Sequence, residues 1–112
     1  MAIQKWSENI TVAELGEDPQ FTDELSALMD SLQADPRDVV LNFGAVSFVN
    51  SSNIARLLRL RKIVLAQERR LILCGINTQV WGVFLVTGLD KIFDLTNDIS
   101  TALATIQLAE EK

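Results

Sequence analysis

The chain has no histidine, one cysteine, two prolines and no long apolar run. Each shortage excludes something. Without histidine, the commonest general base and metal ligand is missing, and a lone cysteine supplies no metal-spaced thiolate set. That cysteine, Cys74, cannot form an internal disulfide either, so a reducing, cytoplasmic setting is expected. The longest apolar stretches, such as residues 80–86, are far too short to cross a bilayer, so no direct membrane insertion is expected. Residues 1–9 carry Lys5 with no apolar run behind it, which argues against a secretory leader. Excess positive charge is also lacking. At a net charge of −5, no general affinity for nucleic acid is expected.

What remains is an ordinary globular composition. With 48% hydrophobic and 22% charged residues, the 112-residue chain can bury one core and is not disordered. A single domain over residues 1–112 is expected. Six of the ten basic residues (Arg56, Arg59, Arg61, Lys62, Arg69 and Arg70) fall within fifteen positions, accompanied by one acid, Glu68. Such a run is either a solvated helix face or a basic patch for an acidic protein partner.

Apolar periodicity outlines the elements. A weak β-like run at residues 3–6 precedes a second one carrying Ile10, Val12 and Leu15. Asp18 and Pro19 read as an N-cap and first helical residue. Phe21, Leu25, Leu28, Met29 and Leu32 then share one helix face, at spacings of three and four. The continuous run Val39, Val40, Leu41 suits a strand buried on both sides. Asn50, Ser51, Ser52 and Asn53 can each cap the helix expected to run to about Gln67. Leu71 to Cys74 reads as another buried strand. Val80, Val83 and Phe84 mark a third helix ending at Thr87-Gly88. A short last strand is expected at Ile92 and Phe93. Thr96 or Asn97 would then cap a final helix through Ile99, Leu103 and Ile106, before a charged tail. Alternating strands and helices with short links argue for an α/β fold with a small, mostly parallel sheet, an N-terminal edge pair and about four helices.

Two segments go further. One is Val39-Val40-Leu41-Asn42, a bend, then residues 46–54 with Asn50-Ser51-Ser52-Asn53 at a helix start. The other begins with Val80, Val83 and Phe84 and closes on Thr87-Gly88-Leu89-Asp90-Lys91-Ile92-Phe93. Together they resemble the STAS domain family, whose best-known members are bacterial anti-sigma-factor antagonists. The likeness is good over roughly residues 36–108 and follows the N-terminal third in outline. In that family a buried strand leads to an Asp-Ser-Ser-Gly turn, and a later helix ends in Ser/Thr-Gly-Leu before a lysine and a short apolar strand.

The resemblance implies a non-catalytic regulatory module that docks an anti-sigma factor of the serine-kinase type. Ser51 matches the family's phosphorylation site. A phosphate there adds a charge of roughly −1.5 to −2 beside helix N–H groups that can receive it, while obstructing a partner packed on the helix start. Two turn positions depart from the family pattern. Asn50 replaces an aspartate, removing a carboxylate, and Asn53 replaces a glycine, putting a side chain where a partner would approach. These departures also suit an alternative within the family: an accessory subunit clamping the ATPase of a lipid-transporting ABC complex, with no phosphoswitch.

On a helical wheel, Leu57, Leu58, Arg61, Val64 and Leu65 fall inward, Arg56, Arg59 and Ile63 outward, and Leu60 on the flank. The expected partner face is therefore Asn50, Ser51, Ser52, Asn53, Arg56, Arg59, Leu60 and Ile63, mixing guanidinium and aliphatic groups. Arg61, placed inward, is expected to reach a rim or a carboxylate. Trp81 and Leu85 lie off their helix's inner stripe. They either anchor a partner, including a second copy in a homodimer, or are covered by the final helix. Cys74 reads as an inert core residue and Trp6 as packed on the sheet edge. Asp35 and Asp38, or Asp90 and Asp94, form carboxylate pairs with nothing nearby to tune them. No enzyme activity, cofactor or metal is expected.

Overall fold

The computed structural model describes residues 3–110; the charged tail expected after the last helix extends beyond them. Strands β1 (Ile3–Lys5), β2 (Ile10–Glu14), β3 (Asp38–Asn42), β4 (Leu71–Cys74) and β5 (Asp94–Thr96) form one sheet in sequential order. Helices α1 (Gln20–Ala34), α2 (Ser51–Ala66) and α3 (Thr78–Thr87) link β2 through β5, and α4 (Ile99–Glu110) follows. β1 pairs antiparallel with β2, and every other pairing is parallel.

Sequential order has a consequence. Right-handed crossovers that each step one strand in the same direction deliver their helices to the same sheet face. The core divides accordingly. Ala13, Val39, Leu41, Leu71 and Leu73 point toward α1, α2 and α3. The alternate residues Ile10, Val12, Val40, Ile72 and Cys74 point to the other face, where Ala102 and Ile106 of α4 cover them. Strands buried on both faces explain the unbroken apolar runs at residues 39–41 and 71–74.

Four phenylalanines form a chain across the three-helix side. Phe21 and Phe43 meet edge to face at 6.0 Å and Phe43 and Phe84 at 6.4 Å, while Phe84 and Phe93 lie tilted at 6.0 Å. All four are buried; the fifth, Phe48, is 61% exposed.

The expected face of α1 is buried throughout, and β4 has the expected bounds. Other details differ. The last strand is β5, at Asp94–Thr96, because Leu89–Lys91 form a 3-10 turn and Phe93 is drawn into the core. Asp98 begins α4 instead of Thr96 or Asn97, its Oδ1 accepting the Thr101 N–H at 2.8 Å. In α1 the first helical residue is Gln20, yet Asp18 still accepts the N–H of Thr22.

Candidate functional site

Parallel strands β2 and β3 are neighbours, so the loops leaving their carboxyl ends lie side by side. Those loops, residues 15–19 and 43–50, converge on the start of α2. Asn50 is the N-cap: its Oδ1 accepts the Asn53 N–H at 2.8 Å, and Asn53 Oδ1 accepts the Asn50 N–H at 3.0 Å. This reciprocal pair satisfies donors that a helix start leaves free.

Asp18, from the adjacent loop, completes the arrangement. Its Oδ2 accepts the Asn53 side-chain amide at 2.9 Å and lies 3.5 Å from that of Asn50. Its Oδ1 accepts the Thr22 hydroxyl at 2.8 Å. The Asn53 amide first, and Thr22 after it, hold the Asp18 carboxyl below its ordinary value. Glu17 makes a second tie, accepting both the N–H and the hydroxyl of Ser47, and these bonds lower its pKa as well. The turn lacks an aspartate at Asn50, but a carboxylate reaches it from residue 18. In the sequence, Asp18 is marked only as a cap for α1, by its place before Pro19.

Asn53 is correspondingly 3% exposed. Its side chain turns inward and does not stand over the turn, which corrects the expected obstruction. Ser51 and Ser52 are exposed, and neither side chain is engaged in a hydrogen bond. Phe48 projects three residues before Ser51.

The rest of the expected face divides. Leu60 is fully buried with Leu57 and Val64, so it belongs to the core and not to a contact surface. Leu58 and Leu65, expected inward, are 39% and 48% exposed. The helix is rotated relative to the wheel because Asn53, tied to Asp18, and Leu60 share its inner stripe. Arg56 and Ile63 are half-buried, and Arg59 is exposed. Arg59 and Ile63 line a shallow groove against Met29, Asp30 and Gln33 of α1.

Nor do the six basic residues form one patch. Arg61, expected to reach a rim or a carboxylate, is half-buried and donates from Nε to the Ile92 carbonyl at 3.2 Å. Arg69 lies 3.4 Å from buried Asp38 and donates to the Asn9 carbonyl at 2.9 Å. Asp38 also accepts the Arg70 N–H at 2.8 Å, which makes it a clamp between strand starts. Cys74 is fully buried, and burial pushes its thiol up to about 11. Trp6 closes the β1–β2 hairpin through its backbone N–H to the Ile10 carbonyl, and the residue is 45% exposed. Trp81 remains 38% exposed, since α4 lies on the opposite sheet face and cannot cover it. Among the described residues, no group of three or more acidic or cysteine side chains is placed to hold a metal ion, and no helix is long and apolar enough to cross a membrane.

The order of strands, the single antiparallel pair and the exposed serines at a helix start define a class: a STAS-type fold. The chain belongs to the STAS domain family, whose model matches residues 3–102. Among solved structures it is similar to an anti-sigma-factor antagonist (STAS) domain protein of Planctomyces limnophilus. That match has TM-score 0.80 and 23% identity, and it covers 94% of this chain and 97% of the other. The unphosphorylated form of SpoIIAA, an anti-sigma factor antagonist of Bacillus, matches with TM-score 0.80, 17% identity and 94% of each chain. A sulfate transporter family protein of Wolinella succinogenes matches with TM-score 0.80, 18% identity, and 92% and 88% coverage. A search of curated proteins gives no match.

Proposed function

We propose that this protein is a partner-switching regulator, an antagonist that docks a serine-kinase-type anti-sigma factor through the start of α2 and is released by phosphorylation of Ser51. One observation carries the reading: Ser51 stands exposed at a helix start held from behind by Asp18, with the exposed Phe48 beside it in sequence. Phe48 supplies an apolar anchor of the kind that dominates interfaces, and Ser51 a hydroxyl open to a kinase. Asn50, Ser52 and Arg59 extend the contact, while Asn53 and Leu60 act from within. SpoIIAA, of the same fold, has been solved in phosphorylated as well as unphosphorylated form.

A phosphate on Ser51 would point toward free N–H groups of α2. It would also add charge beside Asp18 and Glu17, so the partner meets a locally acidic rim where it had met a hydroxyl. The test is incubation with ATP and a cognate serine kinase of the anti-sigma type. Labelling of wild type and its loss in Ser51→Ala is expected; an unlabelled wild type beside a labelled control substrate contradicts the phosphoswitch.

A second reading follows from the capping pair. Asn50 and Asn53 build a closed turn complete without a phosphate. That suits a constitutive subunit clamping an ABC ATPase. Reversing charge at Arg56 and Arg59 would then weaken the complex in a salt-dependent way, and Ser51→Glu would leave it intact.

A further inference from the structure

The free edge of the sheet at β5 carries features that the Ser51 surface does not use. Trp81 and Leu85, four residues apart on α3, share the flank above this edge and are 38% and 51% exposed. Trp81 lines a cleft with Ile76, Leu95, Thr96 and Asn97 at the carboxyl end of β5. At the amino end, a groove is lined by Arg61, Leu65, Arg70, Ile92 and Asp94. Ile92 is 42% exposed and Leu65 48%. An edge strand flanked by an apolar cleft at one end and a groove of guanidinium and aliphatic groups at the other is a template for pairing with another strand.

We propose that β5 is the seam of a symmetric dimer, in which a second copy of this chain adds its own β5 antiparallel. A two-fold axis through Leu95, perpendicular to the sheet, would place Asp94 of one copy opposite Thr96 of the other, so no like charges face each other. The same operation turns one copy end for end. The cleft with Trp81 then meets the groove with Ile92, Arg61 and Arg70, setting an aromatic ring against aliphatic and guanidinium groups. Asp98, two residues beyond β5, approaches the basic end of the other copy, so charge is complementary in both halves of the interface. The α3 flanks also meet across the axis, covering Trp81 and Leu85. Three residues of strand pairing are too few to hold two molecules alone, and these apolar flanks provide the remaining contact. The seam lies along β5 and α3, leaving the start of α2 on each copy open. The inference does not depend on whether Ser51 is modified.

Sedimentation velocity from low micromolar to several hundred micromolar protein tests this directly. Wild type is expected to pass from monomer to dimer with concentration. Leu85→Lys and Trp81→Ala, each at an exposed position, should weaken dimerisation by about tenfold or more. Leu108→Lys, on the exposed side of α4, should leave it unchanged. Circular dichroism melts confirm that each variant is folded. A wild type monomeric over the whole range overturns the proposal, as does a dimer equally tight in Leu85→Lys and Trp81→Ala.

Discussion

At the scale of single residues, Asp18 has the most to explain. It receives donors from α1 and from the start of α2, so its loss should loosen the turn that precedes α2 while leaving the fold. We expect Asp18→Asn to cost about 1 kcal/mol, since the bonds are open to water. The sign of the pH dependence follows from the depressed pKa. The charged carboxylate stabilises the fold above the unfolded value near ~4, and the gain is lost as pH falls through the lower folded value. The stability difference between wild type and Asp18→Asn, measured by urea unfolding, should therefore shrink on acidification. A difference constant down to the acid limb would contradict the assignment.

Leu60 and Leu58 make a second residue-scale contrast. Two positions apart, one is fully buried and the other 39% exposed. Leu60→Ala should cost about 2–5 kcal/mol, and Leu58→Ala at most roughly 0.5–1 kcal/mol, in chemical denaturation. Cys74 belongs here too. With the thiol raised to about 11 and no exposure, it should resist maleimide at neutral pH until the protein unfolds.

At the scale of elements, helix ends carry the argument. Gly88 closes α3 at φ 77°, a left-handed conformation that strains any residue with a Cβ. Gly88→Ala should cost about 1 kcal/mol, visible as a lower Tm, even though a methyl there would meet open space. Gly75, at φ 71°, is tighter: a Cβ would sit 2.7 Å from Asn42 Oδ1.

These ends also show what a sequence makes legible. The stop at Thr87-Gly88 is readable because local chemistry decides it, whereas four residues could each cap the start of α2 and the fold selects Asn50, paired with Asn53. The face of α1 was readable because five large apolar residues recur at helical spacing. The rotation of α2 was not. Leu58 and Leu65 look as apolar as Leu57 and Leu60, and the choice is made by Asn53, whose inward turn depends on a carboxylate 35 positions away. Asp18 itself is legible as a cap but not as a partner of the turn before α2, since no local signal marks a bond between loops. Arg61 and Arg69 looked like members of one patch, but carbonyls and a carboxylate from distant segments engage them.

At the scale of the molecule, topology divides the labour. A sheet in sequential order places three helices on one face and leaves the other to α4, so both faces are covered. What stays open is the carboxyl end of the strands, where Phe48 and Ser51 stand, and the β5 edge. A partner docking at the start of α2, as proposed, would meet a surface whose backbone is already capped and whose neighbouring loop is already tied. Such preorganisation would leave little ordering cost on binding, and under the proposed switch it would concentrate the effect of a single phosphate.

The central claim is that charge at Ser51 decides which partner is held. The most direct measurement captures partners from the protein's own cell extract on wild type and Ser51→Glu in parallel, with quantification by mass spectrometry. The account predicts a kinase-type ATPase retained by wild type and reduced about tenfold or more on Ser51→Glu. The same partner retained equally by both would contradict it and reduce Ser51 to a residue of the helix start.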